Sequence, residues 1–143
     1  MIRQGEPRDV ERVYNIVTQF IDNAKFWCIH LVDKTKAYKF ISEVLPTSFI
    51  AEEGGKITGM VAGYITTYML SEDKVYQTVF WWVDKEHKEV SLKLYNALEQ
   101  ACKVTGVKYL VMAHLWDESV HLERFYNMHG FRKLETHYIR EIK

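Results

Sequence analysis

The sequence has no surplus charge of either sign: 19 basic side chains are matched by 19 acidic ones over 143 residues. A balanced chain gives no electrostatic case for nucleic acid or an anionic membrane as its main partner. Cysteine is scarce, and Cys28 and Cys102 form no metal or redox spacing. Cys102 falls on the apolar face of an expected helix, the usual place of a buried, inert thiol. Proline occurs only at Pro7 and Pro46, both at expected element junctions. No apolar run reaches the roughly 20 residues of a membrane-spanning helix. Met1-Ile2-Arg3-Gln4-Gly5 lacks the apolar core of a signal peptide. The expectation is therefore a cytoplasmic protein with no membrane partner. Repeats, low-complexity stretches and linkers are absent as well. Residues 1–143 read as a single domain, long enough to bury a core without disulfides or metals.

What is present is hydrophobic periodicity. Residues 1–4 read as a short strand. Val10, Val13, Tyr14, Val17, Phe20 and Ile21 line one face of a helix over 9–22, with Asp9 as its N-cap. Ala37, Tyr38, Ile41, Val44 and Leu45 do the same for 35–45, with Thr35 before them. Phe26 to His30 has no clear period and reads as loop or a short helical extension. Ser48–Glu52 and Lys56–Thr67 form a hairpin across Glu53-Gly54-Gly55. Gly59 and Gly63 mark a bulge or a close backbone approach in its second strand. Tyr76–Val83 is a further strand, with Trp81 and Trp82 directed to opposite faces.

A helix over 89–105 follows, burying Leu94, Tyr95, Leu98, Ala101 and Cys102 and stopping at Gly106. Val107–His114 reads as a strand, Ser119–His129 as a helix and Phe131–Ile142 as a last strand. The strands flanking the 89–105 helix are expected to be parallel, because a crossover helix is the common connection between parallel neighbours. The fold class is α/β: a mixed, mostly antiparallel central sheet with helices on both faces.

Several local sequences sharpen this reading. Phe125-Tyr126-Asn127-Met128-His129-Gly130-Phe131 places an aromatic helix residue four positions before a Gly-Phe stop. Glu52 to Gly59 forms a glycine-rich hairpin, Val83 to Lys88 a strand exit, and Gly106 to Leu110 a helix exit. In this order and spacing, over nearly the whole chain, they resemble the GNAT family of N-acetyltransferases. The resemblance implies a V-shaped splay between the two central parallel strands, which holds acetyl-coenzyme A as cosubstrate. It also implies that the helix start at Lys88, Glu89, Val90, Ser91 and Leu92 takes the pyrophosphate, with Lys88 in the position of the family's arginine. The family's glycines are missing from this stretch. The physical need is for backbone N–H groups at a helix N-terminus, which other residues also supply. Ser91 could add a hydroxyl, whereas Glu89 is unfavourable if it points inward.

Acetyl transfer passes through a tetrahedral oxyanion, so the enzyme must orient the reactants, take a proton from the amine and return one to the thiolate. A backbone N–H near Trp82 or Val83 is expected to polarise the thioester carbonyl. The resemblance puts Tyr126 where the family often has the acid for the thiolate; the alternative is a packing tyrosine. For the base, His114 at a strand end, the Glu135–His137 face of the last strand and a water chain stay open. Asp117-Glu118 is most simply a helix cap. His30, His87, His121 and His129 show no ligand spacing, so no metal is expected.

The acceptor is a small-molecule or peptide amine that the residues do not specify. With one terminal strand, the acceptor side is open or completed by a second subunit. Zero net charge and an aromatic share of 14% fit a homodimer joined at an exposed edge or patch. The alternative function is a catalytically silent binding or assembly module of the same fold. The missing glycines and a Gln77–Val83 strand without a carboxylate favour that alternative.

Overall fold

The apolar stripe at residues 10–21 folds as α1, Val10–Asn23, preceded by a 3-10 turn at Pro7–Asp9. The structure, a computed structural model, describes residues 1–23, 33–113, 120–138, 140 and 142. The remaining elements are β1 (Ile2–Gln4), α2 (Lys34–Val44), a 3-10 turn at Leu45–Thr47, β2 (Phe49–Glu53), β3 (Lys56–Thr67), β4 (Lys74–Val83), α3 (Val90–Val104), β5 (Tyr109–Val111) and α4 (Val120–Met128). The chain divides into two units, residues 1–112 and 113–143. Among the described residues no helix is long and apolar enough to cross a membrane.

In the first unit the strands lie in the order β1-β2-β3-β4-β5. Neighbours are antiparallel except β4 and β5, which are parallel, as the crossover helix between them requires. Gly54 and Gly55 turn the β2–β3 hairpin with φ of 57° and 78°, a left-handed pair that glycine adopts without steric cost. The core is split by the sheet. Val13, Ile41, Val44 and Leu45 from the α1–α2 side meet Ile50, Ile57, Met60 and Ala62 on one face, with Phe80 and Trp82 beside them. Val90, Leu94, Leu98 and Cys102 of α3 meet Ala51, Val61 and Tyr76 on the other face, with Trp81 and Val83 beside them. Trp81 and Trp82 therefore do face opposite ways. Leu94 and Leu98 are fully buried, each worth about 1.5–3 kcal/mol of apolar burial.

Both strand glycines mark close approaches. A Cβ on Gly59 would lie 3.0 Å from Val90 and Leu94, so its absence lets the start of α3 lie against β3. A Cβ on Gly63 would lie 2.3 Å from the Gln77 carbonyl, where the β3–β4 register shifts.

Several local expectations change. Asp9 does not cap α1; it is fully buried and closes the 3-10 turn by accepting from the Glu6 N–H at 2.9 Å. Arg3 binds it with two hydrogen bonds of 2.8 Å and reaches Glu52 at 2.9 Å, and Arg12 bridges Glu52 and the Gly55 carbonyl. This network ties β1 and α1 to the β2–β3 hairpin. Arg3 and then Arg12 hold the Glu52 carboxyl below its ordinary range. The N-cap of α2 is Asp33, accepting from the Lys36 N–H at 2.8 Å, and Thr35 lies inside the helix. The segment 26–30 lies outside the described residues.

In the second unit α4 ends in a glycine stop. The Phe131 N–H donates to Tyr126 at 2.9 Å and the Gly130 N–H to Asn127 at 3.3 Å, with Gly130 at φ 78°. The Tyr126 and Phe131 rings meet at 5.2 Å, the apolar contact that accompanies this motif. The expected last strand over Phe131–Ile142 is not formed among the described residues, and Arg132–Tyr138 is exposed. Its apolar residues, Phe131, Leu134, Tyr138, Ile139 and Ile142, do not alternate. A strand also needs a neighbouring ladder for its N–H and C=O groups, and none of the described strands pairs with it.

Candidate functional site

The site begins where β4 and β5 part. Their pairing runs Val75–Tyr109, Tyr76–Leu110 and Gln77–Val111. Beyond Gln77, β4 continues to Val83 with β3 as its partner among the described residues. The ladder phase decides which backbone groups face away from β3. The Asp84 N–H donates to Thr58 at 2.9 Å, and hydrogen-bonded antiparallel pairs recur at every second residue. By that alternation Trp82, opposite Met60, turns its N–H and C=O into β3. Val83, opposite Gly59, turns its own away from β3, to the side where among the described residues no strand pairs with β4 past Gln77.

After Val83 a tight loop leads into α3. The Asp84 carboxylate accepts from the Glu86 N–H at 3.0 Å, and the His87 N–H returns to the Asp84 carbonyl at 2.9 Å. The Glu86 N–H first, and Lys56 in addition, hold the Asp84 carboxyl below its ordinary range against partial desolvation. The N–H groups of Val90 and Ser91 are used inside the turn, donating to His87 at 3.0 Å and Lys88 at 3.2 Å. Among the described residues the N–H groups of Lys88 and Glu89, which precede the helix, have no hydrogen-bond acceptor. These are the orphan donors that make a helix start suited to anions. Glu89 has φ −63° and ψ −20°, ordinary right-handed geometry, so the loop needs no glycine for its conformation. The Lys88 side chain is exposed and makes no ion pair among the described residues. Ser91 is half-buried and Leu92 exposed. The Glu89 carboxylate lies 3.5 Å from His87 Nδ1, which lies equally far from Glu53 of the hairpin.

These residues fit a pyrophosphate. Unused backbone donors, a helix dipole and an unpaired cation share one short segment, and its one awkward carboxylate is turned toward an imidazole.

The expected acid and base residues belong to the second unit. The Tyr126 hydroxyl donates to the Ala113 carbonyl. His114 lies outside the described residues, as do Asp117 and Glu118. Glu135 and His137 do pair, with Nε2 2.9 Å from Oε1, on an exposed segment. Cys102 is a free buried thiol whose pKa burial first, and Glu99 second, push up to about 11. It stays protonated and packs. Among the described residues no group of three or more His, Cys, Asp or Glu side chains is placed to hold a metal ion. Sequence reasoning missed the Glu53–His87–Glu89 cluster, which was legible only as three polar residues in two turns.

The sequence profile of the acetyltransferase (GNAT) family matches residues 11–131. No curated protein matches the chain by sequence. Several solved structures share the fold. An aminoglycoside acetyltransferase from an uncultured soil metagenomic sample, solved with sisomicin, superposes with a TM-score of 0.72 at 16% identity, covering 100% of this chain and 96% of the other. Ribosomal-protein-alanine N-acetyltransferase from Brucella melitensis gives 0.76 at 14% identity, covering 99% and 98%. A predicted acetyltransferase from Clostridium acetobutylicum, solved with acetyl-CoA, gives 0.76 at 13% identity, covering 99% and 95%.

Proposed function

Given that the chain belongs to the acetyltransferase (GNAT) family, whose chemistry is acyl transfer, we propose that it moves an acetyl group from acetyl-CoA directly to a primary amine. The observation that carries this reading is the parallel β4–β5 pair that stops at Gln77–Val111 while β4 runs on into the start of α3. A thioester arm can lie along the side of β4 away from β3, with its pyrophosphate at Lys88 and Glu89.

In this reading the amine nitrogen attacks the thioester carbonyl carbon and the C–O π bond opens to an oxyanion. The Val83 N–H, turned away from β3, is the better placed of the two backbone donors to stabilise that charge. Collapse of the intermediate breaks the C–S bond. Tyr126 supplies the proton to the departing thiolate, and its hydroxyl is already in a proton-donating hydrogen bond, to Ala113. His114 accepts the proton of the amine. The exposed Glu135–His137 pair is a weaker candidate, because open solvent leaves it without orientation.

The acceptor is an amine of unassigned class. Aminoglycoside and protein-alanine acetylation are named for two of the similar folds, and both offer primary amines. Homodimer formation belongs to the same proposal. It is supported by Tyr68, Met69 and Leu70, exposed together at the β3–β4 tip. They close a stretch, residues 57–71, that contains no charged side chain to oppose a second copy.

The silent-module alternative is favoured by one observation. The N–H groups of Val90 and Ser91 are satisfied within the turn, which reduces the donors left for phosphate. Calorimetry with acetyl-CoA decides between them. The proposal expects saturable binding, weakened about tenfold or more by Lys88→Glu, since a repelling anion replaces a neutralising cation. Absence of both heat and thermal stabilisation would leave the silent module.

A further inference from the structure

We infer that His87 is a positioning residue for the cosubstrate: it holds the Glu89 carboxylate away from the anion-binding start of α3. The inference rests on the acetyl-CoA reading above and explains how a pyrophosphate segment tolerates an acidic residue among its donors. Glu89 is the N-cap of α3, and its backbone N–H has no hydrogen-bond acceptor among the described residues. A carboxylate over that N–H would take the donor for itself and repel the incoming phosphates. The side chain is elsewhere. Its Oε1 lies 3.5 Å from His87 Nδ1, and the same nitrogen lies 3.5 Å from Glu53 Oε2 in the β2–β3 turn.

His87 is well fixed for this task. Its N–H is bonded to Asp84 and its carbonyl accepts from Val90. Asp84 is itself anchored to β3 through Thr58 and Lys56. The ring is only about a quarter exposed, whereas both carboxylates are mostly in solvent. The imidazole is therefore the fixed partner and the two glutamates are the movable ones. Without it, Glu89 has no other basic partner among the described residues and is free to swing over its own N–H.

A double-mutant cycle on the full chain tests this, with acetyl-CoA as the probe and the dissociation constant by calorimetry as the readout. His87→Ala is expected to weaken binding about three- to fivefold, the range of an exposed charge interaction. Glu89→Gln is expected to strengthen it slightly or leave it unchanged. In the Glu89→Gln background, His87→Ala should then have little effect, because no carboxylate remains to be held away. The His87→Ala loss should also shrink toward none at about 1 M salt, where the Debye length falls to about 3 Å. A purely structural histidine would produce the same loss in both backgrounds and at both salts, and that result overturns the inference. Thermal melts of each variant show whether the fold is intact, and the double variant keeps the test readable if His87→Ala lowers stability. If the unaltered chain fails to bind acetyl-CoA, the functional reading falls, and this inference with it. If it binds and the two effects simply add, this inference falls alone.

Discussion

Replacing Asp9 by alanine removes the centre of the buried ionic network and should be among the most damaging single changes in the first unit. The carboxylate is fully buried. It takes two hydrogen bonds of 2.8 Å from Arg3, one of 2.9 Å from the Glu6 N–H and a longer one from Arg12. Alanine leaves the Glu6 N–H without its acceptor and the Arg3 guanidinium with Glu52 as its remaining carboxylate partner. Breaking a buried pair from one side costs about 3–5 kcal/mol. Glu52 still compensates Arg3 in part, so the lower end, about 3 kcal/mol, applies. With a urea slope of about 2 kcal/mol/M, the midpoint should fall by about 1.5 M. The melting temperature should fall by roughly 10 °C, at about 3 °C per kcal/mol for a chain of this size. The pH dependence has a definite sign. Arg3 above all, helped by the Glu6 N–H, holds the Asp9 carboxyl below its ordinary range in spite of burial. Its stabilisation is therefore complete above the unfolded carboxyl pKa of about 4 and is lost as the pH falls through the folded value. The gap between the natural chain and Asp9→Ala should be flat from about pH 7 to 5 and narrow below about pH 4. A urea midpoint shifted by less than about 0.3 M, below 1 kcal/mol at that slope, would refute the reasoning. The charges would then have gained no more from each other than they lost in hydration.

Three further outcomes follow from the geometry. Tyr126→Phe keeps the ring contact with Phe131 and loses only the hydroxyl. Turnover should fall about a hundredfold with acetyl-CoA affinity nearly unchanged, and a variant within about twofold of the natural chain would make Tyr126 a packing residue. Gly63→Ala would drive a methyl into the Gln77 carbonyl and the Tyr76 ring. We expect a loss of about 2 kcal/mol or more by chemical denaturation; no loss would mean that β3 and β4 separate there without cost. Light scattering should give a dimer mass, and Leu70→Glu at the exposed hairpin tip should shift it toward the 17.0 kDa monomer; a monomer before substitution would exclude self-association.

Much of the first unit was legible because its signals are local. The 3.6-residue stripes of α1 and α3, the Gly54-Gly55 turn and the Gly106 stop each depend on a few neighbouring residues. Gly106 ends α3 as expected, with the Val107 N–H bonded to Cys102 at 2.9 Å. The parallel β4–β5 pair followed from the crossover helix alone. What failed was pairing over long sequence distances. Asp9 has the residue type and place of an N-cap, and only the fold brings Arg3, Arg12 and Glu52 to it. Phe131–Ile142 reads as a last strand from local sequence, but local sequence does not supply a paired neighbour. Trp82 and Val83 could not be separated from sequence, because the phase of their hydrogen bonds depends on register. The Phe125–Phe131 signature was read for its family role. Its local physics is a helix stop, with Tyr126 and Phe131 as the apolar clasp.

The central claim is acetyl transfer from acetyl-CoA to an amine, and the most direct test is release of free coenzyme A thiol with a panel of primary amines. The panel should span aminoglycosides, polyamines, amino acids and peptides with free N-termini or lysines. The account predicts thiol release that depends on one amine class, saturates with acetyl-CoA and weakens with Lys88→Glu through the Michaelis constant rather than turnover. Thiol release no faster than without protein for every amine, from a chain that does bind acetyl-CoA, would contradict it and identify a binding module on an acetyltransferase fold.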